Sequence, residues 1–564
     1  MINMSDLEKR LFDQAWNYQN RDNIIARLKT THYDVIIIGA GITGAGVARE
    51  AAMRGLKVAV IEMQDFAAGT SSRSSKLAHG GIRYLGHGDI DLVHESTTER
   101  NWMVAHIPHL LRPIPFLFVD MEGGKYKKRE ITGACKLYDF LGNKDTEFKI
   151  HKAHKWYKPE EIFEMEPDYI REGNLGGAVY YDCNVDDARL TIEILKEAII
   201  RGADVINYSK VIEYIKDSGK IIGVKCKDLE NENNFEIKGS LIINSTGIWT
   251  DKLLESYPDH IPKPLIRPTK GVHLQLRRKH VKNKMATIIR SITDDRAFFV
   301  LPRNKEFTII GTTDTDYNDD LANPFCNKDD ADYLLTSVKH YFPTAELDYK
   351  NIISTYAGIR PLVMQKGKSE SEISRNHIIF FSDDGLLTIT GGKLTAWRAM
   401  AEDLLRHIEE KGIFQDVKRE TNFSKQMFVI GLEKDDWQNK LKNSGVELDD
   451  DIADHIYQQY GKGAIKILEL IKEDESLKEL IINENNFIKA EVVYSLKFEL
   501  TPHLSDIFCR RTEMYLWIRH ENVNEAAKKV AELMAKEYSW SKEKTMEEIK
   551  VYTDYIEKTV AFIK

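Results

Sequence analysis

An α/β fold built on a parallel sheet, with a β-rich second part and a helical C-terminal part, is what the 564-residue sequence predicts. Three observations predict it. The stretch VIIIGAGITGAGVAREAAMRGLKVAVIE, Val35 to Glu62, reads as strand, glycine turn, helix and strand. Residues 205–246 alternate apolar and polar side chains around turn signals, as an antiparallel meander does. Past about residue 425 the chain turns to charged amphipathic segments such as DDIADHIYQQY and NVNEAAKKVAELMAKEY, each able to bury one helical face.

The elements follow in order. Residues 5–29 read as one polar helix, within an N-terminal segment spanning 1–32. Tyr33–Gly39 is a β-branched strand, Ile42–Arg54 has helical spacing of small and apolar residues, and Lys57–Glu62 is a second strand. Together they make a βαβ unit, the usual setting of parallel strands. The meander runs through Lys210–Ile215, Lys220–Cys226 and Phe235–Ile237 and returns in SLIINSTGIW. Strand-like runs continue at Gly271–Leu276, Ala297–Leu301 and Phe307–Gly311. A last strand, Leu386–Thr390, meets Gly391-Gly392 before a helical run from Leu394 to Ile408. The expected organisation is a discontinuous nucleotide-binding domain (33–85, 185–255 and 350–410). A cap (86–184 and 256–349) and a helical domain (411–564) complete it.

Hydrophobic residues at 42% and charged residues at 30% are an ordinary globular balance. A net charge of -8 argues against sequence-independent attraction to nucleic acid. The five cysteines (Cys135, Cys183, Cys226, Cys326, Cys509) form no CxxC, so neither a redox dithiol nor a cysteine zinc site is expected, and scattered thiols suit a reducing cytosol. MINMSDLEKRLFDQAW lacks the apolar core of a signal peptide. No apolar run approaches the ~20 residues of a spanning helix. The expected location is therefore cytoplasmic, soluble or peripheral on a membrane surface. No metal site is expected: there is no HExxH, and His151-x-x-His154 reads as two residues on a polar helix. Gly461-Lys462-Gly463 has no strand before it and reads as a helix-end turn.

Gly39-x-Gly41-x-x-Gly44 follows a strand and opens a helix, the context that a dinucleotide site requires. The first glycine allows the tight turn, the second lets the pyrophosphate approach, and the third lets helix and strand pack closely. The helix N-terminus offers free N–H groups to phosphates. Glu62 ends the second strand, 18 residues after Gly44, where a carboxylate can accept ribose hydroxyls. FAD and NAD share this physics, and no second such motif occurs.

Directly downstream lies DFAAGTSSRSSKLAHGGIRYLGHGDIDLVHE, rich in hydroxyl side chains and glycine. With TSSRSSKLAHGGIRYL, NSTGIWTD (244–251), RPTKGVHL (267–274), FFVLPR and IGTTDTDY (298–317), AGIRPL (357–362), ISRNH (373–377), TITGGKLTAWR (388–398) and LSDIFCRRT (504–512), the sequence resembles the FAD-dependent glycerol-3-phosphate dehydrogenases over nearly its whole length. It departs from that family at Ser245, where a smaller residue is usual, and at Ile248, where proline is usual. No EF-hand loop pattern occurs in the sequence, so the calcium-binding extension of the family's mitochondrial members is not expected here.

The resemblance implies an FAD-binding Rossmann-like domain of the glutathione-reductase and amino-acid-oxidase type, under a β-rich substrate cap. It implies oxidation of sn-glycerol 3-phosphate to dihydroxyacetone phosphate, with a quinone as acceptor and the inner face of the cell membrane as location. An oxidase that gives its electrons to oxygen is the alternative. The expected partners are the substrate, the quinone, a membrane surface and a second copy of the chain in a homodimer, without nucleic acid. The basic, aromatic stretch RRTEMYLWIRH is compatible with membrane contact and equally with domain packing.

A phosphate dianion wants arginine forks or lysine, and a secondary alcohol losing hydride wants a base and a nearby cation. Arg83-Tyr84 after Gly80-Gly81, Arg360 before Pro361, Arg375, and Lys393 after Gly391-Gly392 supply the candidates. In the family their equivalents, with that of His273, line the pocket beside the flavin. The expected catalytic set is therefore His273 as base with Arg360 and Lys393. Arg83, Tyr84 and Arg375 bind substrate. The order in which these cations divide between phosphate and alkoxide stays open. For FAD, Gly39, Gly41, Gly44 and Glu62 hold the ADP half. Ser71, Ser72, Ser75 and Lys76 line the path from pyrophosphate to flavin, and Val211 packs near the adenine. Thr246, Gly247, Gly392, Leu394 and Thr395 approach the ribityl chain and ring.

Overall fold

Val35, Ile36 and Ile37 have no exposed surface, because the strand that holds them, His32–Ile38, is covered on both faces. That is the condition under which a β-branched run becomes the centre of a parallel sheet. The computed structural model describes residues 4–13, 16–144, 152–255, 264–365, 376–414, 428–483 and 485–563. The sheet has eight strands. Its path runs His377–Phe381, Leu387–Gly391, Asn234–Asn244, His32–Ile38, Val58–Ile61, Asp204–Ile206, and the meander strands Ser209–Asp217 and Lys220–Asp228 hang from Asn234–Asn244.

Register decides where a ligand can sit. Ile38 pairs in parallel with both Asn244 and Ile61, and Asn244 with Thr388, so the C-terminal ends of the central strands lie level. The crevice beyond such ends is where open parallel sheets bind ligands. Helices Ile42–Met53, Asp187–Ile199 and Trp397–Glu410 pack together over the sheet. Every residue of Asp187–Ile199 is buried, because the C-terminal helices cover its outer side. Its Arg189 pairs there with Glu193 at 2.9 Å and with Glu499.

A second, ten-stranded sheet forms the cap. Arg112–Met121 and Asn174–Asn184 pair antiparallel at one side, and Ile266–Arg277 carries the other. The expected domain boundary near 350 is corrected here. Ile352–Val363 pairs antiparallel along Ile266–Arg277, from Ile266↔Val363 to Leu276↔Ile352, and so belongs to the cap sheet. Leu77–Ala78 also joins that sheet, through Asn184 and Cys183.

The single N-terminal helix is corrected to two, Met4–Asp13 and Arg21–Thr30. Asn17 caps a short turn between them, and Trp16 anchors it by donating to the Val205 carbonyl at 3.1 Å. His154 does not lie on a helix. It precedes the strand Lys155–Tyr157 and its Nδ1 lies 2.6 Å from Asp139, while residue 151 is outside the described residues. Gly461 caps Asp450–Tyr460 with φ +50°, as a helix-end turn requires. The stretch RRTEMYLWIRH is largely core: Tyr515, Leu516 and Trp517 are buried on the short helix Met514–Trp517. Just before it, Ile507–Arg511 forms a π-turn whose two arginines reach Asp65 of the nucleotide domain.

Candidate active site

Gly39 turns the chain at the end of the first strand with φ +103°, and a Cβ there would stand 2.8 Å from the Ser245 carbonyl oxygen. Only glycine combines that φ with that approach. A Cβ on Gly44 would stand 1.9 Å from the Gly39 carbonyl oxygen, so the third glycine lets helix Ile42–Met53 seat against the turn. Gly41 is the N-cap, and Ile42 N–H donates to Ser71 Oγ at 2.9 Å, so the serine lies against the helix end. Glu62 accepts from Ala40 N–H at 2.8 Å and Gln64 N–H at 2.9 Å. Burial pushes its carboxyl up, which suits a group whose partners are ribose hydroxyls.

Gly39, Gly41, Ile42, Glu62, Ser71 and Ser245 wall a cavity of about 770 Å³, while Gly44 lies behind it in the helix–strand packing. Val211 of the meander, Thr246-Gly247 of the turn after Asn234–Asn244, and Gly392 and Leu394 complete it, together with Trp249. A long cleft at the strand ends, bounded by a helix N-terminus and the half-buried Glu62 carboxylate, fits a dinucleotide of FAD size.

A second cavity of about 190 Å³ opens beside it, and Gly391, Gly392, Lys393 and Leu394 wall both. It brings together Arg83, Tyr84, His273, Arg360 and Lys393 from four separate parts of the chain. Arg73, His79 and Asn376 line it too. Among its described lining residues there are four cations and no carboxylate, an arrangement for an anion.

Each cation is held. Arg360 donates to Asp314 Oδ1 at 2.9 Å and to Thr312 Oγ1 at 3.0 Å. Lys393 Nζ lies 4.0 Å above the Tyr84 ring and 3.2 Å from Ser96 Oγ. The Arg83 guanidinium lies over the same ring, 5.3 Å from its centroid. Arg83 is exposed and lines the second cavity. Arg73 donates to the Ala322 carbonyl at 2.9 Å. Gly81, at φ +76°, makes room for this cluster, since a Cβ there would press on Tyr84 and Lys393 Nζ.

His273 is 2% exposed, its Nε2 is 2.9 Å from Ser75 Oγ, and its ring stacks on Tyr356 at 4.6 Å. Burial, with Arg360 and Lys76 nearby, holds its pKa well below the ordinary histidine value. The ring is therefore neutral, and weaker as a base than an unperturbed imidazole. His79, pushed down to about 3 by burial, Lys393 and Arg83, is neutral as well.

Four expected positions differ. Lys76 lines neither cavity: its Nζ is buried between Asp187 at 2.6 Å and Glu513. Ser72 also turns inward, its carbonyl accepting from Lys76 Nζ at 3.1 Å. Ser75 and Thr395 face the second cavity, drawn there by His273 and by the His79 carbonyl at 3.2 Å. Arg375 lies outside the described residues. The nucleotide set of Gly39, Gly41, Glu62, Ser71, Val211, Thr246, Gly247, Gly392 and Leu394 shares one cavity. Arg73, Asn376 and Trp249 were not expected. Arg73 lies within TSSRSSK beside the candidate serines, and Trp249 within TGIWTD, so adjacency to a candidate turn is the signal the sequence offers. Among the described residues, Asp186, Asp187 and Glu513 form the one metal-like group, and the ammonium of Lys76 sits on two of its carboxylates.

Residues 34–398 match the family described as FAD dependent oxidoreductase, and residues 420–545 match the C-terminal domain of alpha-glycerophosphate oxidase. Over 555 residues the chain is 35% identical to the aerobic glycerol-3-phosphate dehydrogenase of Bacillus subtilis strain 168, a match covering 94% of this chain and 96% of the relative. The aerobic glycerol-3-phosphate dehydrogenase of Staphylococcus aureus strain USA300 is 34% identical, with 96% of each chain covered. The crystal structure of the glycerol-3-phosphate dehydrogenase from Bacillus halodurans complexed with FAD is similar at a TM-score of 0.79 and 29% identity, over 97% of this chain and 99% of that one. The L-alpha-glycerophosphate oxidase from Mycoplasma pneumoniae shares the fold, at a TM-score of 0.53 and 18% identity over 67% of this chain and 95% of its own.

Proposed function

The chain belongs to the aerobic, FAD-dependent glycerol-3-phosphate dehydrogenase family, and from this we propose that it oxidises sn-glycerol 3-phosphate to dihydroxyacetone phosphate and delivers the electrons to a quinone. One observation carries the substrate reading: a small cavity whose described lining holds four cations, a neutral histidine and no carboxylate shares a wall with the nucleotide cleft.

When bound, FAD supplies the acceptor for the hydride that leaves the alcohol carbon. The chain's own residues do the rest. Arg73 and Arg83, which line only the second cavity, suit the phosphate. Lys393, at the junction of the two cavities, stands where negative charge develops on the alcohol oxygen, with Arg360 next to His273. His273 takes the hydroxyl proton as a neutral imidazole. The arriving phosphate dianion offsets the cations that depress this histidine, so the base strengthens once substrate is in place. The assay is an anaerobic flavin spectrum before and after sn-glycerol 3-phosphate. Bleaching followed by reoxidation with a quinone supports the reading, and a flavin that stays oxidised overturns it.

A second reading, oxygen as acceptor, draws support from the C-terminal residues, which match a domain described from an oxidase. Stoichiometric hydrogen peroxide without added acceptor would decide for it.

We further propose a peripheral location on the cytoplasmic membrane face. Among the described residues no helix is long and apolar enough to cross a membrane. Helix Lys128–Asn143 turns Arg129, Lys136 and Phe140 outward at helical spacing, with Phe140 62% exposed, a basic and apolar stripe suited to anionic lipid. Co-sedimentation with anionic vesicles tests this, and protein that stays in the supernatant at low salt overturns it.

A further inference from the structure

A chain of contacts leads from the C-terminal domain to the His273 ring. Glu513, between the π-turn and Met514–Trp517, is 1% exposed and pairs with Lys76 Nζ through Oε1, while its Oε2 lies 3.4 Å from Arg303. Lys76 also pairs with Asp187, and the other Asp187 oxygen accepts from Ser74 N–H at 2.9 Å and Ser74 Oγ at 2.6 Å. The Ser74 carbonyl accepts from Tyr356 O–H at 3.0 Å, and Tyr356 is the ring on which His273 stacks. Ser75, next in the chain, holds His273 Nε2 at 2.9 Å. Lys76 at φ +54° and Glu513 at φ +55° both occupy the left-handed region without being glycine. Such backbone persists only where its surroundings over-determine it, and here one ion pair joins the two strained residues.

We infer that Glu513 is a positioning residue for His273: through Lys76 it holds the Ser74–Ser75 turn and Tyr356 against the imidazole, so that the C-terminal helical domain sets the orientation of the proton-accepting ring. The inference rests on His273 being the base in the proposed oxidation. Lys76 has no other role in view, since it touches neither cavity. Although burial opposes its charge, Asp187 and Glu513 hold it well above the ordinary lysine range. Glu513 therefore also screens the imidazole from that ammonium. The groups facing His273 are Ser75 and Lys76 from the loop and Tyr356 and Arg360 from Ile352–Val363. Thr312 and the cations Arg73, Arg83 and Lys393 line the shared cavity, with Asp186, Asp187, Arg303 and Glu513 behind Lys76.

The test is anaerobic stopped-flow flavin reduction by sn-glycerol 3-phosphate in the FAD-loaded full chain, across pH, for wild type and Glu513→Gln. The expected result is retained FAD, an unchanged half-saturating substrate concentration, and a reduction rate constant lowered about tenfold. The acid limb moves to lower pH, because Lys76 is less screened and disfavours the imidazolium more. A wild-type rate overturns the inference. A lowered rate with an unmoved acid limb, or one accompanied by lost substrate affinity, overturns it too, by reducing Glu513 to a structural role. Should Glu513→Gln not accumulate, Glu513→Asp decides in the same assay. It keeps the charge, so the limb should stay in place, but shortens the reach: slower reduction with FAD retained and an unchanged half-saturating substrate concentration supports the inference, and a wild-type rate or lost substrate affinity overturns it. A wild-type flavin that the substrate does not reduce would instead sink the proposed reaction, independently of Glu513.

Discussion

Replacing Gly44 by alanine adds one methyl group and should cost the protein most of its affinity for FAD. The added carbon would sit 1.9 Å from the Gly39 carbonyl oxygen and 2.7 Å from Ser245 Oγ, and the first of these is backbone. Real contacts of this kind stay beyond about 3.0 Å, so helix Ile42–Met53 must retreat by roughly 1.1 Å. Its N-terminal amides face the cleft, and a displacement near 1 Å takes a hydrogen bond out of its ~2.7–3.2 Å range. Losing one or two charge-assisted bonds of roughly 1.5 kcal/mol each weakens binding by about 10- to 100-fold. The assay is titration of apoprotein with FAD, followed by fluorescence quenching. Gly133→Ala is the control, since a Cβ on that helical glycine meets nothing within 4 Å and should leave affinity unchanged. A Gly44→Ala protein that binds FAD as tightly as the control would refute the packing argument.

Gly41→Val should abolish FAD binding, since a branched side chain enters the cleft beside Ser71; a yellow variant saturated with FAD would remove Gly41 from the pyrophosphate site. Arg360→Ala should keep FAD and lower flavin reduction by about 100-fold or more, with Arg360→Lys intermediate because it keeps charge but not the fork. Unchanged kinetics would take Arg360 out of the site. His503 lies between Glu230 at 3.0 Å and Glu548 at 2.9 Å, and these bonds outweigh its burial and raise it to about 10. Its folded value exceeds its unfolded 6.5, so its stabilisation is complete below pH 6.5 and fades as pH rises through 10. Glu548 has the opposite sign: burial opposes its charge, but His503 brings it down to about 2, so its contribution is present above pH 4.5 and fades toward 2. The Tm gap between wild type and His503→Gln should therefore be widest near pH 5–6 and narrow toward pH 10. A gap independent of pH would show that the contacts do not act through charge.

Local rules made the nucleotide cleft readable. A β-branched strand, three spaced glycines and Glu62 lie within one short stretch, and each has a role fixed by covalent geometry and spacing. The cationic cluster was readable only residue by residue through family resemblance, because Arg83, Arg360 and Lys393 meet through tertiary pairing. Lys76 shows why the rest was hidden. A lysine among serines in a ligand-facing loop looks like a phosphate binder until Asp187 and Glu513 arrive from remote parts of the chain. The strand Ile352–Val363 misled for the same reason. Its pairing partner Ile266–Arg277 lies in the cap, and the run itself carries no mark of which sheet it will join. His273 lines the cationic cavity, and its lowered basicity comes from burial and from Arg360 and Lys76, which no local pattern around it reveals.

Asp65 has a consequence in time. Its carboxylate lies just beyond Glu62, wholly buried, and is gripped at both oxygens by Arg511, with Arg510 and Asn207 beside it. A ribosome delivers the chain from its N-terminus, so the loop carrying Asp65 emerges long before either arginine is synthesised. Until they arrive, that carboxylate belongs in water and the loop has no reason to fold inward. The buried pairs of Asp65 are therefore completed only in a chain synthesised through Arg511, so the loop after Glu62 takes its final packing late.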